Sequence, residues 1–172
     1  MENCNETFWD DIVAVYPLSV GVLNHAVPET VVKDTVSVND LGYVSLSALQ
    51  ALLSAKVRLS DVEDGYNTCM LSESPSVKIA TDRTASGYVY TMTLIVRTLY
   101  YREDEKRIIR KMEWEGNDYI IERRDGTYAL VRYFSPAQKV VHEVNGEGAN
   151  VTIVMKNLTG VQRIIDVDES DG

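Results

Sequence analysis

The chain is predicted to be mainly β, an α+β fold made of an antiparallel β-sandwich or half-barrel with one flanking helix and a short N-terminal helix. From Ser76 to Ile165, apolar and polar residues alternate in segment after segment, the period of two that strands impose. Asp125-Gly126 stands between two such segments, a short-range hairpin signal. The 172 residues, 45% of them apolar, are enough to bury a sizeable core in one globular unit.

Residues 1–70 read as an acidic N-terminal arm carrying a strand and a short helix, 71–165 as the sandwich, and 166–172 as an acidic, disordered tail. In the first 41 residues Glu2, Glu6, Asp10, Asp11, Glu29, Asp34 and Asp40 face a single base, Lys33. Val31, Val32, Val36 and Val38 predict a strand over 30–38, because β-branched side chains fit a pleated surface. Leu46, Leu49, Leu52 and Leu53 fall on one helical face, which predicts an amphipathic helix over 47–55 with Ser45 or Ser47 as its cap. From 60 to 75 the composition turns to Ser, Asp, Glu, Gly and Asn and ends on Pro75, the mark of a loop and of a seam between arm and sandwich.

A strand is expected over 77–80 and a long one over 87–99. In the long strand Tyr88, Tyr90, Met92, Leu94 and Val96 share one face, and Val89, Thr91, Thr93, Ile95 and Arg97 the other. Both faces carry apolar groups, which predicts a strand between layers or at a subunit interface. Over 102–114, Ile108, Ile109 and Met112 recur at helical spacing, and Glu103 and Arg107 form an attractive i,i+4 pair, so a helix crossing the outside of the sheet is expected. Strands follow over 118–124 and 127–133, joined at Asp125-Gly126 by a type I′ turn. Beyond Pro136 two more are expected, over 138–144 and 150–157, joined by 145–148.

The net charge of −9 disfavours duplex nucleic acid and anionic membrane surfaces, since both are held by Lys and Arg. No run approaches the ~18 apolar residues of a membrane-spanning helix; the closest, 12–23, is interrupted by Pro17. Residues 1–11 hold acids and no Lys or Arg, unlike a secretory signal.

Cys4 and Cys69 fit no Cys-x-x-Cys or Cys/His ligand pattern and are expected as free thiols. His25 and His142 lack neighbours at metal-ligand spacing, and the acids Asp61, Glu63 and Asp64 lack the ligand order of a calcium loop. There is neither a Gly-x-Ser-x-Gly elbow nor a glycine-rich phosphate loop. The expectation is therefore no catalytic residue, no cofactor and no metal.

Arg102, Lys106, Arg107, Arg110 and Lys111 form the one basic concentration, diluted by Glu103, Asp104, Glu105, Glu113 and Glu115, with Arg123 and Arg124 expected near it. Two readings stand: a solvated helix with internal ion pairs, or a polar contact to an acidic neighbouring subunit, for which the N-terminal arm is a candidate. The arm's Val-rich strand could itself augment a neighbour's sheet. The candidate subunit contacts are Val32, Val36, Arg107, Arg110, Lys111 and Arg123.

The succession Ser-Val-Lys-Ile, Gly-Tyr-Val-Tyr-Thr-Met-Thr-Leu, the charged helix, Asp-Tyr-Ile-Ile-Glu-Arg-Arg-Asp-Gly-Thr-Tyr-Ala-Leu, Pro136 and Val-Thr-Ile-Val-Met lies within 76–165. In strand order and turn placement it resembles small structural proteins of tailed bacteriophages and prophages, in particular those of Bacteroides-type hosts. The resemblance implies a subunit of the tail tube or of the head-to-tail rings. Such a subunit assembles as a homo-oligomeric ring, contacts other virion proteins, and resides in the virion or, during assembly, in the host cytoplasm. DNA would pass through the ring without sequence-specific binding, and an acidic wall would let it slide. Two other classes remain open: a binding module for a protein or glycan using Tyr128 and Tyr133, and an enzyme whose site no local motif reveals.

Overall fold

A computed structural model of the chain describes residues 6–9, 11–20, 22–24, 36–37, 43–63, 67–85, 87–133, 139–158 and 160–166. The chain begins with β1 (Glu6–Trp9), β2 (Ile12–Ser19), β3 (Leu23–Asn24), β4 (Val36–Ser37) and β5 (Tyr43–Val44). Then come α1 (Leu46–Leu53), β6 (Arg58–Ser60), β7 (Thr68–Met70), β8 (Ser76–Thr84), β9 (Gly87–Thr98) and α2 (Glu103–Trp114). It continues through β10 (Asn117–Arg123), β11 (Tyr128–Val131), β12 (Lys139–Asn145), β13 (Gly148–Asn157), β14 (Val161–Arg163) and β15 (Ile165–Asp166). The fold is mainly β, as expected, and the principal strands pack as an antiparallel sandwich. One sheet has five strands in the order β1-β8-β9-β13-β12, the other six in the order β14-β11-β10-β2-β6-β7.

Alternation decides what lies between the sheets. Met92, Leu94 and Val96 of β9 and Val151, Ile153 and Met155 of β13 turn inward to meet Val15, Tyr119, Ile121, Ala129 and Val131 of the opposite sheet. The other face of β9 keeps the mixed set Val89, Thr91, Thr93 and Ile95 only partly covered. The six-stranded sheet is covered on both sides. Its second face carries Ala14, Tyr16, Leu18, Ile120 and Leu130, on which α1 lays Leu49 and Leu53. Burying each such leucine is worth about 2 kcal/mol. This double burial explains why β2, β10 and β11 read as nearly continuous apolar runs.

Two local devices make β2 possible. Between Glu122↔Ala14 and Arg123↔Ile12 the register skips Val13, so this bulge turns Ile12 into the inter-sheet core with Val15. The Ser60 hydroxyl donates to the Val13 carbonyl at 3.0 Å. Pro17 sits opposite Tyr119, but β6 pairs only with Ala14 and Val15, so the missing proline N–H costs no bond on the β6 side. No strand was expected at 12–19 from the sequence. The seam expected at 60–75 does not divide the chain, because β2, β6 and β7 share a sheet with β10, β11 and β14. Within that supposed loop, β7 pairs in parallel with β6 and buries Cys69.

Of the strand expected over 30–38, the described residues include only Val36–Ser37, paired in parallel with Leu23–Asn24. Val31, Val32 and Val38 lie outside the described residues, as do Cys4, His25 and 167–172. The hairpin at Asp125-Gly126 exists, but its turn is not type I′: Gly126 alone has positive φ, at 87°, and its N–H donates to the Arg123 carbonyl at 3.0 Å. With Arg123 N–H donating to Thr127 O at 2.9 Å, this is a three-residue loop closed by a glycine bulge. The Thr127 hydroxyl and amide both donate to the Asp125 carboxylate and hold it below the usual carboxylate range.

Candidate interaction surface

Helix α2 is built from good helix formers, with Glu103, Asp104 and Glu105 in its first turn and Lys111 in its last, the order that suits the helix dipole. Glu105, Ile109 and Met112 are buried, and the last two enter the inter-sheet core. The helix therefore plugs the sandwich rather than merely crossing its outside. The expected Glu103–Arg107 pair is replaced by pairs three residues apart: Lys106–Glu103 at 3.6 Å and Arg107–Asp104 at 3.8 Å. A third, Arg102–Glu105 at 3.2 Å, holds the buried carboxylate from the solvent side.

Positions 107, 110, 111 and 114 are one stripe on the opposite face, at the i, i+3, i+4, i+7 spacing of a helix. All four residues are exposed, and Trp114 is 82% accessible. With Glu115 they line a shallow depression. Among the described residues Arg110 and Lys111 enter no ion pair, and the Arg107–Asp104 pair is largely solvated. Exposed Trp beside Arg is the composition of interface hot spots.

Of the expected contact residues, Arg107, Arg110 and Lys111 are thus brought together. Arg123 is not with them: it ends β10, whose first residue, Asn117, follows α2, so ~20 Å of strand separates the two. Its charge acts instead on Asp125, at the hairpin turn. Val36 has one strand edge occupied by β3 of its own chain, and Val32 lies outside the described residues. Sequence reading missed Trp114, although its i+7 spacing from Arg107 was available to find it.

A second cluster had no local signal. Tyr16 donates to Glu122 Oε1 at 2.8 Å, Arg58 Nε donates to the Tyr16 oxygen at 3.1 Å, and an Arg58 terminal nitrogen reaches Glu122 Oε2 at 3.4 Å. The trio forms part of the wall of a cavity of about 430 Å³, with Gln50, Asn67 and Tyr128 among its other lining residues. Burial, then the Glu122 carboxylate, push the Tyr16 hydroxyl above its ordinary range, so it stays protonated and donates. Burial opposes the Arg58 charge, but Tyr16 and Glu122 outweigh it and raise its pKa. Burial followed by Glu122 raises Tyr128 as well. Each member satisfies the next, which makes a polar clamp across the neighbouring strands β10, β2 and β6 rather than an activated nucleophile.

No protein-family model, curated protein or solved structure matches the chain. The chemistry of its surface must carry the functional reading. Among the described residues no three His, Cys, Asp or Glu side chains are grouped to hold a metal ion, and no helix is long and apolar enough to cross a membrane.

Proposed function

We propose that the chain is a non-enzymatic structural subunit of a tailed phage or prophage virion, in the tail or the head-to-tail connection. It assembles with copies of itself and with other virion proteins around the DNA passage. The observation that carries assembly is the stripe of Trp114, Arg107, Arg110 and Lys111 on a chain whose net charge is −9. A cationic, aromatic face on an acidic protein is complementary to other copies of that protein. The phage context rests on the strand order and turn placement of 76–165, and the acidic balance suits a wall past which DNA must slide.

The test is the absolute mass of the purified chain across a concentration series, by light scattering after size exclusion, with negative-stain imaging. A discrete ring is expected; a monomer at every concentration removes self-assembly. A second reading, a binding module for a protein or glycan, is favoured by the cavity lined by Tyr128, Gln50 and Asn67. It predicts saturable binding by a monomer.

A further inference from the structure

We propose that the Trp114 stripe of α2 receives the acidic segment 166–172 of a second copy, with Asp168, Glu169 and Asp171 set against Arg107, Arg110 and Lys111. This contact rests on the self-assembly reading above and names its two halves.

Charge selects the occupant. Three cations and an exposed indole need a partner with several carboxylates close together. The acids of the first 41 residues are spread along the chain, and Glu6 already lies in β1, paired with Ala80. In 166–172, four of seven residues are acidic and none is basic. Asp166 is engaged within its own fold, where its Oδ1 accepts from Leu46 N–H at 3.3 Å. That leaves three carboxylates for three cations.

Length fits as well. From Arg107 to Trp114 the helix rises ~10 Å, and an extended chain covers ~10 Å between residues 168 and 171.

Geometry places the contact between copies rather than within one. Asp166 is fixed at the start of α1, whereas Ala55, Lys56 and Val57, which share a cleft with Lys111 and Met112, follow its end. Those two positions are separated by ~15 Å at helical rise. Asp168 lies two residues beyond Asp166, a reach of ~7 Å. A chain's own Asp168 and Glu169, reaching ~7 and ~10 Å, therefore fall short of its own α2 stripe, and only its Asp171, at ~17 Å, comes within reach. Setting all three carboxylates against the three cations needs another copy's segment, which can lie along the whole stripe.

The test uses two full-length variants. One inverts the stripe (Arg107→Glu, Arg110→Glu, Lys111→Glu) and the other the segment (Asp168→Lys, Glu169→Lys, Asp171→Lys). Each alone should associate roughly tenfold more weakly than wild type at low salt. An equimolar mixture should regain wild-type mass, because the acidic segment of the first variant then meets the basic stripe of the second.

Recovery on mixing also shows that both variants are folded. No recovery on mixing, or recovery only when both inversions are in one chain, overturns the contact. Wild-type assembly that ignores both inversions overturns it while leaving self-assembly standing, whereas a wild type that is monomeric throughout removes both.

Discussion

Replacing Gly148 with alanine tests the closest approach in the sandwich. Gly148 opens β13 directly against the end of β9, and a Cβ there would fall into the space of the Thr98 carbonyl oxygen. It would also stand 3.1 Å from the Thr98 carbonyl carbon and 3.2 Å from the Leu99 oxygen, where ordinary contact begins at 3.4 Å. All of these obstacles are backbone, so no side chain can swing aside, and β13 must retreat from β9.

That retreat strips the bonds by which the Thr98 hydroxyl accepts from Ala149 N–H at 2.9 Å and donates to its carbonyl at 3.4 Å. Losing both costs about 2 kcal/mol. Overpacking adds ~1–3 kcal/mol, and alanine's smaller unfolded-state entropy returns somewhat less than 1 kcal/mol. The net is about 3 kcal/mol, or roughly 6–12 °C in midpoint for a chain of this size. Thermal and urea unfolding would measure it.

Gly146→Ala is the control, since at φ 67° with nothing within 4 Å it carries only left-handed strain, about 1 kcal/mol. A Gly148→Ala protein no less stable than Gly146→Ala would refute the argued proximity of β9 and β13.

Asn157→Ala should cost about 3 kcal/mol in urea unfolding, because it removes from a buried site the bond that the Asn157 amide donates to the Arg132 carbonyl at 3.1 Å and the one that its Oδ1 accepts from Gly160 N–H at 2.6 Å. A loss below 1 kcal/mol would mean that water substitutes there. Burial, with the Glu105 charge adding to it, pushes the Cys69 thiol up to about 12. The folded state thus prefers the protonated form, so this contribution is complete below the ordinary thiol value of ~8.5 and fades as pH rises from there towards the folded value. In a Cys4→Ser background the native thiol should react with a disulfide reagent roughly 100-fold more slowly than in urea; equal rates would place it at the surface. Trp114→Ala, at an 82% exposed position, should leave the unfolding midpoint within ~1 °C while weakening self-association, and an unchanged mass profile would count against the stripe as a contact.

Both helices and the strands β8, β9 and β13 were legible because each has one well-buried face, so that period two or period 3.6 shows directly in the residues, whereas β10 and β11, buried on both faces, were announced by the Asp125-Gly126 turn between them. β2 was not legible. Ile12–Ser19 is apolar on both sides, since α1 covers one face and the five-stranded sheet the other, and Pro17 speaks against a central strand until the short reach of β6 is known. The charged stripe of α2 could be read from spacing, but the isolation of Arg123 required knowing that β10 runs away from the helix. The Tyr16–Arg58–Glu122 clamp joins residues up to 106 positions apart, and no local pattern announces it.

The place of β2 also fixes a timetable. Its register partner β10 lies about a hundred residues later, and at ~5–20 residues per second the ribosome delivers it only ~5–20 s after β2. For that interval an eight-residue apolar segment has been made without its neighbour. Early synthesis is therefore the stage at which this chain is most exposed to aggregation, and a chaperone that holds nascent apolar strands should raise the soluble yield. Slowing translation between residues 20 and 117 should lower it.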